Sequence, residues 1–104
     1  MTTTAPATIM LVHGACHGPW CWDRVTPLLE AAGRRVLTPC LPGRSGIGRG
    51  GWGATLPDYA VAIVEAARRE SAPVVVVGHS MAGLVIAAAA EAAPDLFERL
   101  VFVS

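Results

Sequence analysis

Four apolar runs punctuate the chain: ATIMLV (7–12), RRVLTPCL (34–41), PVVVVG (73–78) and RLVFVS (99–104). Each is too continuously apolar for a strand with one wet face. Each is therefore expected in a sheet covered on both faces, where strands run parallel. Between the runs the apolar spacing turns helical. The first helical stretch covers Trp20 to Ala32, with Gly33 placed to stop it. Pro27 either kinks it or, behind Thr26 as N-cap, opens its main part. The second begins near Thr55, where Asp58 resembles the far half of a capping box with Asp in place of Glu. Ala60, Ile63, Val64 and Ala67 then fall on one stripe. The third, Met81 to Ala93, is apolar almost all round, which predicts burial on most sides, and Pro94-Asp95 ends it. The order βαβαβαβ with short links predicts a doubly wound α/β unit: a parallel four-stranded sheet flanked by helices on both faces.

Composition narrows the picture. The 104 residues make one domain at most, yet 53% are hydrophobic and 15% charged, which is apolar for so small a body. Either the core is unusually complete or part of the apolar surface expects a neighbour. Eight basic residues balance eight acidic ones, so no field is expected to hold nucleic acid or an anionic membrane. The start lacks a basic region and its apolar run is too short for a signal peptide. The longest apolar stretch, 81–90, is about half a membrane span and stops at Glu91. A cytoplasmic location is the expectation. Cys16, Cys21 and Cys40 are odd in number and lack CxxC spacing, which speaks against a disulfide framework and against zinc. No other metal spacing occurs, so no metal or cofactor is implied.

The chemistry lies where the third run ends. VVVVGHSMAG (74–83) carries an apolar strand into Gly78-His79-Ser80 and then into a small-residue helix. In an open parallel sheet, reacting groups gather at the carboxyl ends of strands. A nucleophile elbow is a sharp, strained turn that lifts a serine hydroxyl clear of the sheet and crowds the positions two before and two after it. Gly78 satisfies the first position; the second is Ala82, with Gly83 one step late. The Met81 N–H at the helix start is the natural first donor to a developing oxyanion. LVHGACHG (11–18) supplies the matching turn of a neighbouring strand, with the Ala15 N–H as second donor behind Gly14. Gly46 to Gly51 fits G-x-G-x-x-G, but Pro42 to Ser45 separate it from the strand and the helix begins only near Thr55, so it reads as a loop. Trp20 and Trp22 either touch an acyl group or anchor the first helix, and Trp52 either contacts a ligand or packs on its own loop.

The run LVHGACHGPWCWDRVTPLLEAAGRRVLTPCLPGRSG, followed by VVVVGHSMAG, resembles the α/β-hydrolase superfamily. Within it the chain is similar to the branch of small plant-type esterases that includes methylesterases and hydroxynitrile lyases. The resemblance covers nearly the whole chain. It implies Ser80 as nucleophile, Ala15 and Met81 as oxyanion-hole donors, and His13 and Gly14 as shapers of the oxyanion turn. His13, Gly14 and His79 are the candidates to line the substrate site. In the lyases of this branch a threonine stands where this chain has Gly14, which favours ester hydrolysis here.

One part is missing. The superfamily orders its triad serine, acid, histidine along the chain. His13, His17 and His79 all precede Ser80, and the only later aspartate is Asp95, at a helix end. Neighbours along a strand point to opposite faces, so the His79 ring is expected to turn away from Ser80. His13 and His17 are expected to line or hydrogen-bond the oxyanion turn. The resemblance implies a protein more than twice this long, with a cap and the remaining triad residues beyond 104. Residues 1–104 thus read as the N-terminal segment of one hydrolase domain, with RLVFVS as an interior strand left at an edge and open to association. The function expected is carboxylic-ester hydrolysis of a small molecule through an acyl-serine in the complete enzyme. The alternative is an incomplete fragment acting as a ligand-binding or partner-completed module.

Overall fold

The computed structural model describes residues 6–14, 17–41 and 55–104. Ala15, Cys16 and the stretch 42–54, with the Gly46–Gly51 spacing and Trp52, lie outside the described residues. Four strands form one sheet: β1 (Ile9–Val12), β2 (Val36–Leu37), β3 (Val74–His79) and β4 (Phe97–Val103). Their order is β2-β1-β3-β4 and every neighbouring pair is parallel. The helices are α1 (Thr26–Ala31), α2 (Leu56–Arg68) and α3 (Ala82–Ala92), with short 3₁₀ turns at Pro19–Trp22 and Pro94–Leu96. From β1 the chain steps outward to β2, then crosses back to β3 and on to β4. Right-handed crossovers therefore put α1 on one face and α2 with α3 on the other, as expected for a doubly wound sheet.

Side-chain alternation along the strands shows the two faces. Met10, Val12, Val74 and Val76 join Ile63, Val85, Ile86 and Ala89 in one buried cluster between the sheet and α2 and α3. Fully burying each large member contributes roughly 1.5–3 kcal/mol. Ile9 and Leu11 point the other way and are also buried, whereas Val75 and Val77 are only partly covered. The two-sided cover expected of the apolar runs thus holds for β1 and falls short on the α1 face of β3.

Local rules explain most element ends. Gly33 adopts a φ of 86° just past α1. Its N–H donates to the Glu30 carbonyl while the Arg34 N–H reaches Leu29, the paired bonds of a Schellman stop. The Thr55–Asp58 box forms in both directions, the Asp58 N–H donating to Thr55 Oγ1 at 3.4 Å and the Thr55 N–H to Asp58 Oδ2 at 2.9 Å. Ala60, Ile63 and Ala67 are buried on the α2 stripe, joined by Tyr59.

Three expectations are corrected. The helix predicted from Trp20 to Ala32 is divided, with a 3₁₀ turn over Pro19–Trp22 and α1 starting only at Thr26. Pro27 occupies the first turn of α1, where its missing N–H has no partner to lose. The second run yields only two strand residues, because Pro39 cannot donate to a ladder and pulls Thr38 out of register with it. The third helix buries Ala82, Val85, Ile86 and Ala89 but leaves Leu84 66% exposed. Nothing among the described residues covers its outer face.

At the opposite end of the strands from the elbow, the Arg35 guanidinium grips Glu70 in two bonds, at 2.9 and 3.2 Å, and the Thr8 hydroxyl donates to the same carboxylate at 3.3 Å. The hydrogen bond from Arg35 holds the Glu70 carboxyl below its usual range, with burial opposing and the Arg35 charge and the Thr8 hydrogen bond assisting. A depressed folded-state pKa adds stability above the unfolded value, and that stability is lost as pH falls through the folded value. Urea titrations of the wild type and Glu70→Gln are therefore expected to differ at pH 7, to begin converging near the ordinary carboxylate value of 4.5 and to meet only below the depressed folded-state value.

Candidate active site

The register of the sheet assembles the site. Val12 of β1 lies level with Gly78 of β3, and His79 lies level with Val103 of β4. The next residues along β1, His13 and Gly14, are thereby brought beside His79 and Ser80 at the carboxyl ends of the strands. The Ser80 N–H donates to the Val103 carbonyl at 2.8 Å, so the ladder continues up to the serine itself.

At Ser80 the chain turns. Its φ of 56° makes it the only non-glycine residue with positive φ among those described, a conformation that costs a residue with a Cβ about 1–3 kcal/mol. The strain is held by packing. A Cβ on Gly78 would stand 2.8 Å from the Ala82 carbonyl oxygen and 2.9 Å from Ile86 Cδ1. Only glycine lets α3 come so close to β3. Ala82, at the position two after the serine, is fully buried in the core. The glycine that comes one step late, Gly83, leaves room for Phe102 of β4, whose Cδ1 would lie 3.2 Å from a Cβ there.

Ser80 itself is exposed. Behind it the Gly83 N–H donates to the Ser80 carbonyl at 2.9 Å and the Leu84 N–H to Met81 at 3.0 Å. The Met81 N–H finds no backbone acceptor among the described residues. It stands at the start of α3, where unpaired amides and the helix dipole favour negative charge. Gly14 closes on the serine from the β1 side. A Cβ there would lie 2.9 Å from the His79 carbonyl oxygen, 3.1 Å from His79 Nδ1 and 3.3 Å from Ser80 Cβ. The turn after β1 and the turn at Ser80 thus touch at Gly14, while Ala15, the second expected oxyanion donor, is among the residues not described.

The three histidines occupy distinct places. His13 is fully buried. The Leu41 N–H donates to its Nε2 at 3.1 Å, which makes that nitrogen an acceptor and leaves the proton on Nδ1, 3.1 Å from the Gly14 carbonyl. With both nitrogens engaged, His13 ties the segment after β1 to Leu41 and has no ring nitrogen left to take a proton from Ser80. His79 lies on the face of β3 opposite α2 and α3. Its ring stands edge-to-face with His17 at 5.8 Å and with Trp22 at 6.4 Å, and His17 tilts onto Trp20 at 5.5 Å. Trp20 and Trp22 are thus joined to His79, a relation that the spacing of these residues in the sequence does not show. The signal that joins them is strand alternation, which puts His79 on the side where Pro19–Trp22 passes.

This combination of a parallel sheet, a left-handed serine at a strand-to-helix turn and a glycine turn pressed against it defines a class. The chain belongs to the alpha/beta hydrolase family, whose sequence pattern matches residues 9–104. It is 38% identical to Esterase PIR7B of Oryza sativa subsp. japonica over all of this chain and 40% of that protein. It is 41% identical to Methylesterase 2 of Arabidopsis thaliana over 91% of this chain and 38% of that protein. A pyrethroid hydrolase from Sphingobium faniae JZ-2 superposes with a TM-score of 0.85 at 32% identity, over 92% of this chain and 38% of the other. These similarities lie in the plant-type esterase branch of the family. The chain spans about 40% of the length of the curated relatives it matches. No helix among the described residues is long and apolar enough to cross a membrane.

Two outcomes follow from the elbow geometry. Gly78→Ala is expected to destabilise the chain by about 1–3 kcal/mol, because the clash is with α3 backbone that cannot move alone. Ser80→Gly is expected to be about 1 kcal/mol more stable than Ser80→Ala, since both lose the hydroxyl but only glycine relieves the left-handed strain. Chemical denaturation of the three variants checks both.

Proposed function

We propose that residues 1–104 are the N-terminal segment of a single-domain carboxylic-ester hydrolase acting on small-molecule esters, with Ser80 as its nucleophile. The observation that carries this reading is the exposed Ser80 held in a left-handed turn between Gly78 and the buried Ala82. In the reaction the Ser80 hydroxyl attacks the ester carbonyl. The Met81 and Ala15 N–H groups hold the oxyanion, each donor of this kind being worth about 2.7–4 kcal/mol in the transition state. The tetrahedral intermediate collapses with loss of the alcohol, and water then releases the acyl group from serine. Gly14 keeps the oxyanion turn within reach of Ser80, and its lack of a side chain favours hydrolysis over lyase chemistry. The relatives' names, esterase and methylesterase, support the ester class.

A base is required, since a serine hydroxyl is a weak nucleophile until its proton is taken. No histidine follows Ser80 in this sequence, and His13 has both nitrogens engaged. The family's order of serine, acid and histidine along the chain then takes the acid and histidine of the working enzyme, in this reading, from polypeptide outside these residues. That requirement, with β4 at the sheet edge exposing Val101, Phe102 and Val103, supports a second reading in which the segment is completed by a partner chain along β4.

In the complete protein that carries the acid and histidine, a fluorophosphonate probe is expected to label Ser80 above the Ser80→Ala background. Equal labelling of the two would overturn the nucleophile assignment. The intact mass of the protein isolated from its own cell chooses between the readings. A mass more than twice 10.8 kDa brings the acid and histidine on the same polypeptide, and a mass near 10.8 kDa selects the partner-completed module.

A further inference from the structure

We propose that the imidazole of His79 is a positioning residue: it clamps the oxyanion turn to the nucleophile elbow and sets their separation. The proposal rests on the reading of Ser80 as nucleophile and goes beyond it by assigning what keeps the two halves of the site in register.

His79 is fixed from behind by the sheet. It sits at the last register position of β3, level with Val103, and the next residue's N–H is bonded to that same Val103. From this anchor it meets the segment after β1 twice. At the entrance, Gly14 lies against its carbonyl oxygen and Nδ1, at distances that leave no room for a side chain. At the exit, His17 and Trp22 meet its ring edge-to-face, with interplanar angles of 89° and 84°. Between entrance and exit, the His17 N–H donates to the Gly14 carbonyl at 3.3 Å. The segment is thus tied to itself at Gly14–His17 and lies on β3 at the His79 backbone, its ring and Ser80 Cβ, and the His79 ring is the group that meets it at both ends. Edge-to-face packing fixes both distance and angle between rings, so a ring at 79 transmits the position of β3 to the turn. Trp20 backs the arrangement by tilting onto His17. The buried Trp22 Nε1 has no hydrogen-bond partner among the described residues, so the Trp22 ring is held by packing alone and depends on the ring it meets.

Amide hydrogen exchange on the 104-residue chain tests this directly. In His79→Ala the His17 amide is expected to exchange about tenfold faster or more, while Ile63 and Val76 in the core stay within about threefold of wild type. His79→Phe, which keeps a ring, is expected to restore protection, and His79→Asn, which keeps a polar atom near Nδ1, is not. Unchanged protection at His17 in His79→Ala overturns the proposal, as does rescue by Asn without rescue by Phe. Acceleration of all amides together also overturns it, by reducing His79 to a general stability residue. Should His79→Ala fail to fold, Trp22→Leu removes the facing ring and is read the same way. Where wild type is labelled at Ser80, His79→Ala is expected to lower the maximal labelling rate about tenfold with the half-saturating probe concentration unchanged. Absence of labelling in wild type would sink the nucleophile reading while leaving the exchange result standing.

Discussion

The structure depends on the closeness of α3 to β3. Where Gly78 faces Ala82 the two backbones approach to a distance no side chain at position 78 would permit. That approach lets Ile86 and Val85 reach the core beneath Val74 and Val76. It also forces the connection between strand and helix into two residues, Ser80 and Met81, the first in a conformation its own backbone disfavours. The strain is local; the burial that sustains it is spread over the whole α2–α3 face. An exposed Ser80 and a Met81 amide with no backbone acceptor among the described residues accompany the same packing.

Around this contact the site is built from neighbouring strands held in parallel register. Parallel pairing brings the carboxyl ends of β1, β3 and β4 together, so turns distant in sequence meet without any element designed to join them. Glycine at position 14 permits the oxyanion turn to lie on the elbow, and His13 braces that turn from below by bonding Leu41 after β2. Each of three strands thus contributes one part: a turn, a serine and a carbonyl that holds the serine amide.

Much of this is legible in the residues because it is local. The Thr55–Asp58 box, the stop at Gly33 and the sharp turn at Gly78-His79-Ser80 are decided within a few positions of themselves, and they appear as expected. The absence of a histidine after Ser80 is a property of the sequence and needs no structure. What escapes are relations between segments far apart in the chain. The neighbours of His79, the reason Gly83 falls one step late, and the open outer face of α3 all depend on which elements adjoin. Phe102 explains the late glycine only once β4 is seen beside α3. The shortness of β2 follows from a proline whose effect on a ladder depends on whether that strand has a partner on each side.

The bond from the Ser80 amide to the Val103 carbonyl links the proposed nucleophile to β4. The same strand presents Phe102 to Gly83 at the start of α3. The backbone at Ser80 is therefore held from two sides, by α3 packed on Gly78 and by β4 through Val103. A substitution confined to β4 is thereby felt at the serine backbone without any contact to its hydroxyl.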